Sequence, residues 1–322
     1  MRQWLSSSLV FSSKMMFSAA LSLVALVFVL AIVARLDVAF FEANGMLQNE
    51  FIREAFYYQI FQVDAVIIWM LMLGFLAVLS ISFLFCKSQF DYYRSLARAF
   101  KLFSDNWESP PTASLGRFNP YVTYFFDILS RRMNGETEEA LEPLIARATR
   151  EWPQNPQVSW YDQLQFATVA GMLGMFFSAC CVIFYLKVSG RVVELANSIV
   201  HFTNTNGPSF LTEQFSIISI LVWMILGITT LSFIVTGYRF GRQIAEADYA
   251  ILRDMKDFME GNFRQRLFLR SGDPAQEYVL PMNETLEAMG VKLRAPGATT
   301  QMRSTEAPAG AALAAGVAVK TG

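Results

Sequence analysis

Few residues in this chain have the types and spacing that chemistry needs. There is one histidine, His201, and three cysteines: Cys86 and the adjacent Cys180 and Cys181. A lone histidine among small polar residues reads as a loop surface position. The cysteines have neither the number of a disulfide framework nor the spacing of a metal site, and they read as small apolar packing residues. The sequence contains no phosphate loop, no zinc-ligand cluster and no nucleophile elbow. The expectation is a protein that is not an enzyme, with no catalytic residue, no metal, no cofactor and no small-molecule substrate. A net charge of −1 also argues against a nucleic-acid partner.

What the chain does have is apolar length. Hydrophobic residues make up 54% of it and charged residues 16%. Four runs, 15–34, 65–86, 164–186 and 214–237, contain no Asp, Glu, Lys, Arg or His. Each has about 20 residues or more, enough for a helix to cross a hydrocarbon core of roughly 30 Å. Of the 26 Lys and Arg, only Arg35, Arg53, Lys187 and Arg191 fall in the two segments that follow the first and third runs. Positive charge marks the cytoplasmic side. Both termini are therefore expected in the cytoplasm, in a multi-pass protein of the plasma (inner) membrane, with two short loops outside.

The first run is too long for a signal-peptide core, and no small-residue cleavage site follows "LAIVARLD". It reads as an uncleaved anchor, with Trp4 in the interface. The four spans carry no ionisable residue, so a transport pathway does not fit.

The order span, outside loop, span, cytoplasmic segment occurs twice. "IWMLMLGFLAVLSISF" (68–83) and "VWMILGITTLSFIV" (222–235) share Trp-Met, Gly and Leu-Ser in order. "LFSDNW" (102–107) corresponds to "FMEGNF" (258–263), and "PYVTYFFDIL" (120–129) to "EYVLPMNETL" (277–286). The fold class expected is all-α: four transmembrane helices as two parallel two-span repeats, plus a cytoplasmic helical bundle. An even number of spans separates the copies, so both insert the same way up. The divisions are 1–86 and 164–237 for the two hairpins, 87–163 and 238–289 for the cytoplasmic segments, and 290–322 for a disordered tail rich in Ala, Gly, Thr and Pro.

The segment from Arg239 carries the clearest pattern. Ile244, Ala247, Ile251, Met255 and Phe258 recur in steps of three and four, a coiled-coil seam. Gly261 and Asn262 stop that helix. In the connector that follows, Phe263, Leu267 and Leu269 alternate with Arg264, Arg266 and Arg270. Asp273 is placed to cap a second helix running from about residue 274 to 289. Pro274 suits a first turn, whereas Pro281 removes a helical hydrogen bond and predicts a kink.

Helix, glycine stop, connector, acidic start, helix: "EGNFRQRLFLRSGD", with Asn283 ten residues after Asp273, resembles the HAMP domain. That module joins membrane spans to output domains in histidine kinases and methyl-accepting chemoreceptors. The resemblance covers 239–289 and extends faintly to 91–133. It implies a parallel four-helix bundle with Gly261, Asp273 and Asn283 as relay positions, to which the kink expected at Pro281 adds a fourth.

In the first copy, 92–103 and 119–133 would supply the helices and "ESPPTASLGRF" the connector. "RSLARAFKLF" is then expected beside "AILRDMKDFM", the bundle closing within one chain. A turn at "NGET", a helix near Pro143–Trp152 and a break at "PQNPQ" would return the chain to the membrane.

The functional expectation is a bacterial inner-membrane signal-transduction or regulatory protein. It would be a fused-dimer relay without its own output domain, monomeric or weakly oligomeric, in contact with membrane lipid and an unidentified protein partner. The alternative is a structural subunit or scaffold of an envelope machine. For that reading, the aromatic-rich first loop and the Gly171/Gly174 pair would make contacts with proteins or lipid.

Overall fold

The computed structural model describes residues 2–43, 65–107, 119–153, 160–203, 207–270, 273 and 275–294, together with Gly45, Glu50, Glu54 and Tyr58. These residues form seven helices: α1 (Arg2–Ala43), α2 (Ala65–Asp105), α3 (Asn119–Met133), α4 (Glu138–Glu151), α5 (Trp160–Thr203), α6 (Gly207–Met259) and α7 (Gln276–Arg294). No strand occurs among the described residues. The all-α expectation holds. Helices α1, α2, α5 and α6 are long and apolar enough to cross a membrane, and each contains one of the four apolar runs. Their outward faces carry Phe17, Trp69, Trp223 and Ile228, each more than 60% exposed. So much contiguous apolar surface is unfavourable in water and suits lipid.

The helices outrun the spans read from composition. The segment between the third and fourth apolar runs is mostly helical, because α5 continues to Thr203 and α6 starts at Gly207. No proline interrupts residues 187–206, and an established helix gains one hydrogen bond for each residue it adds. The helix expected near Pro143 begins earlier, at Glu138, with Pro143 inside it. Helix α7 passes the expected stop at 289 and continues to Arg294, so 290–294 belong to the fold rather than to a tail. Gly290 there is buried. The "PQNPQ" break, the "ESPPTASLGRF" connector, most of the first loop and 295–322 lie outside the described residues, as do the side chains of Trp4 and His201.

The tightest packing in the apolar part joins α5 to α6. A Cβ built on Gly237 would lie 2.5 Å from the Phe166 carbonyl oxygen and 2.5 Å from Ala170 Cβ. One turn on, a Cβ on Gly241 would lie 3.0 Å from Gln163 Cα. From the other side, Gly174 meets Phe233 and the Thr230 backbone, and Gly171 meets Ile234. The Gly171/Gly174 pair therefore faces α6 of the same chain rather than an external protein or lipid. Small residues let helix backbones approach where lipid provides no hydrophobic drive for association.

Hydroxyl groups add rungs between helices. Ser178 Oγ lies 3.2 Å from Thr230 Oγ1 across α5 and α6. Ser18 Oγ lies 3.1 Å from Ser232 Oγ, and Ser22 bonds Thr229, across α1 and α6. Such pairs average roughly 0.6 kcal/mol each, so backbone fit is the larger determinant. Helix α1 also packs along α2.

Beyond the apolar runs, α2 and α6 continue without a break into a polar bundle with α3 and α7. Tyr93 of α2, Asp248 of α6 and Tyr278 of α7 meet at one end. Arg132 of α3, Met259 of α6 and Phe263 meet at the other. All four helices therefore run the same way. Helix α2 packs along α7, and α3 along α6. The expectation that "RSLARAFKLF" lies beside "AILRDMKDFM" needs correction, since the two segments face each other across the core. The α6 seam is as expected: Ile244, Ala247, Ile251, Met255 and Phe258 have no measurable exposure. Helix α4 returns alongside α3, and Trp152 Nε1 donates to the Leu252 carbonyl at 2.9 Å, pinning the return path to α6.

The glycine crossing makes a paired test. Gly237→Ala forces a methyl onto backbone and is expected to cost about 1–3 kcal/mol. Gly227→Ala, with nothing within 4 Å of its Cβ, is expected to be neutral or slightly stabilising. Thermal unfolding of the two variants in detergent measures the difference.

Candidate functional site

The relay positions read from the sequence lie in the turn, connector and helix that follow α6. Gly261 has φ +109, a backbone region that L side chains avoid. Its amide donates to the Phe258 carbonyl (3.2 Å), and the Asn262 amide to the Asp257 carbonyl (3.0 Å). That bond pair is a Schellman stop. Gly135, with φ +84, closes α3 the same way: its own amide reaches the Arg132 carbonyl and the Glu136 amide reaches Arg131.

The connector alternates as its sequence requires. Phe263, Leu267 and Leu269 are buried, while Phe268 is 73% exposed. An extended strand of chain with no neighbouring strand leaves backbone groups to satisfy, and side chains from two helices satisfy them here. Asn283 of α7 brackets Leu267: its Oδ1 accepts from the Leu267 amide at 2.7 Å, and its Nδ2 donates to the Leu267 carbonyl at 2.9 Å. From α6, Asp254 Oδ2 accepts from the Phe268 amide at 2.8 Å. Asp254 is fully buried, and its other oxygen accepts from Arg253 Nε and Nη2. The connector is thus held from both sides over two consecutive residues.

Asp273 differs from its expected role. Its side chain accepts from the Arg270 amide, three residues back, at 2.8 Å. Its carbonyl, not its carboxylate, accepts from the Gln276 amide at the start of α7. It closes a turn ahead of the helix instead of capping it. Pro281 lies inside α7 on the exposed face, one residue before the buried Met282. The Thr285 hydroxyl donates to the Pro281 carbonyl at 3.1 Å.

Three anchors have no counterpart in the sequence reading. Arg132 is 7% exposed. It donates twice to Glu138 at 2.7 Å and once to the Met259 carbonyl at 2.9 Å, and lies over the Phe263 ring at 5.0 Å. One guanidinium thereby satisfies a helix-end carbonyl and ties α3 to α6 and the connector. The Tyr93 hydroxyl donates to Asp248, and the Tyr93 ring stacks on Tyr278 with centroids 6.2 Å apart. Burial pushes the Tyr278 phenol above its ordinary pKa, with Arg94 opposing and Asp91 adding to the shift. Asp254 is the third anchor. It is a fully buried acid one position before the seam residue Met255.

Near Gly290 the helix and the turn touch. A Cβ there would lie 2.4 Å from the Phe263 carbonyl oxygen, so α7 needs a glycine where it passes the start of the connector. Gly261, Asp273, Pro281 and Asn283 do not converge on one point. Gly261 and Asn283 shape and hold the connector, Asp273 closes its far turn, and Pro281 faces outward.

No protein-family model, curated protein or solved structure matches the chain.

Asn283→Ala removes both bonds to Leu267 and is expected to cost about 1–3 kcal/mol. Asn283→Asp keeps the acceptor but sets a carboxylate oxygen against the Leu267 carbonyl, so its loss should be at least as large. Glu284→Ala, at an exposed neighbour, should be neutral. Hydrogen exchange at the Leu267 amide, followed alongside thermal unfolding, checks that the loss arises in the connector.

Proposed function

We propose that the chain is an inner-membrane signal-transduction or regulatory protein that relays conformational change from its spans to a HAMP-like bundle and acts through a protein partner. In this reading both termini and the polar bundle are cytoplasmic. The two span pairs are copies of one ancestral hairpin, so that one chain supplies all four bundle helices.

The observation that carries the reading is the continuity of α6. It runs unbroken for 53 residues, Gly207–Met259, from the apolar region to the Schellman turn, so displacement of the span moves the bundle helix with it. Support also comes from the parallel direction of the four bundle helices and from the connector held by Asp254 and Asn283. A relay of this kind needs two packings within a few kcal/mol of each other. Pro281 is suited to set that balance, because it withholds an amide from α7 beside the core residue Met282.

Replacing Pro281 with Ala restores a helical hydrogen bond and is expected to stabilise the bundle by about 1–3 kcal/mol. Spin labels at the exposed positions Lys101 and Val291 report the α2–α7 spacing in lipid nanodiscs. The relay predicts two distance populations in the wild type, collapsing to one in Pro281→Ala. A single unchanged population in both proteins would count against a switch and favour a scaffold.

Orientation has its own test. Cysteines at positions 45 and 205 should react with a membrane-impermeant thiol reagent in intact cells, and cysteines at 110 and 300 should not. Labelling at 110 would remove the proposed topology.

A further inference from the structure

One stripe of α6 faces a groove rather than another helix. Tyr238, Arg242, Glu246, Tyr249 and Arg253 line one wall, Phe268 and Arg270 of the connector line the other, and the volume is about 790 Å³. That falls within the size range of small-molecule sites.

The chemistry of the lining is specific. In the connector, the in-and-out alternation that buries Leu267 and Leu269 points residue 268 outward, and the chain places a phenylalanine there, 73% exposed. Neither that ring nor the Tyr249 ring stacks on another aromatic among the described residues. Two arginines, Arg253 and Arg270, line the groove together with Phe268. Arg253 donates through Nε and Nη2 to Asp254 Oδ1, which leaves its Nη1 for a ligand, while Asp254 Oδ2 accepts from the Phe268 amide. Tyr249 lines the groove one helical turn before Arg253. Arg270 is two residues beyond Phe268 and forms no ion pair among the described residues. The carboxylates lining the groove are already engaged: Glu246 pairs with Arg242 at 2.8 Å, and Asp273 accepts from the Arg270 amide.

Aromatic faces between arginines are the combination that holds a planar ring and phosphate together, by stacking and by charge-assisted hydrogen bonds. An anion alone would use the arginines and leave the phenylalanine in water. A purely apolar partner would leave the arginines without a role.

We propose that this groove is a binding site for a nucleoside phosphate, with the base stacked on Phe268 beside Tyr249 and the phosphates held by Arg253 and Arg270. The site does not depend on the relay reading.

The test uses the full chain in nanodiscs, with ATP and inorganic pyrophosphate as probes in equilibrium dialysis. The site predicts saturable ATP binding that weakens at least about 10-fold in Arg270→Gln and in Phe268→Ala. Pyrophosphate should bind more weakly than ATP and change less than about 2-fold in Phe268→Ala. Arg264→Gln, a connector arginine outside the groove lining, should bind ATP as the wild type does. Thermal unfolding of each variant shows that it is folded, and Phe268→Tyr should retain ATP binding, which separates loss of stacking from loss of structure. No saturable ATP binding would overturn the proposal. So would pyrophosphate binding equal to ATP, or ATP binding indifferent to both substitutions. Binding only of anionic lipid such as phosphatidylglycerol, seen when nanodisc composition is varied, would also overturn it.

Discussion

The arrangement of the whole chain depends on how closely α5 and α6 can approach. Phe166 and Ala170 of α5 occupy the space where a side chain at Gly237 would be, and Gln163 and Phe166 press against Gly241. Backbone against backbone leaves little freedom in the crossing, and in lipid, where apolar contact between helices brings no net hydrophobic gain, such fit is the main source of cohesion. The crossing also fixes which face of α6 turns towards α1, where the Ser18–Ser232 and Ser22–Thr229 hydroxyl pairs form. Because α6 does not break after the apolar region, its azimuth there also sets the direction of its seam in the polar bundle.

In that bundle the cohesion is of a different kind. Buried aromatic side chains from three helices, Phe100, Phe125 and Phe258 among them, provide a conventional apolar core. What makes the geometry specific is a small set of polar anchors: Asp254 and Asn283 on the connector, Arg132 on the end of α6, and Tyr93 on Asp248. Each joins segments distant in sequence, and each would leave a buried partner unsatisfied if lost. The connector is the least self-sufficient segment, since at Leu267 and Phe268 it has no ladder of its own and takes its backbone bonds from α7 and α6. A change in the spacing of those helices would be felt there first.

The sequence carried the elements well and their ends poorly. The four charge-free runs marked the long helices because charge is costly in hydrocarbon, but that cost stops at the interface. Composition therefore could not show that α5 would reach Thr203 or that α6 would start at Gly207. The α6 seam and the Gly261 stop were readable, because periodicity and a positive-φ glycine are local signals. Asp273 misled, since an acidic residue before a helix resembles a cap whether its carboxylate bonds forwards or, as here, back to Arg270. Gly171 and Gly174 announced a close contact without naming its partner. The ties of Arg132 to Met259, of Asp254 to Phe268 and of Tyr93 to Asp248 were invisible because those partners lie 127, 14 and 155 residues away in the chain, and no local pattern encodes such a pairing.

One chain closes a parallel four-helix bundle by itself, with α2 packed along α7. Tyr93 and Tyr278, whose rings stack across that contact, provide the direct measurement. Cysteines at these two positions, bridged by a short bis-maleimide in native membranes, should give a product of monomer mass whose yield does not change when the protein is diluted. Products of dimer mass alone, falling with dilution, would mean instead that the bundle forms between chains.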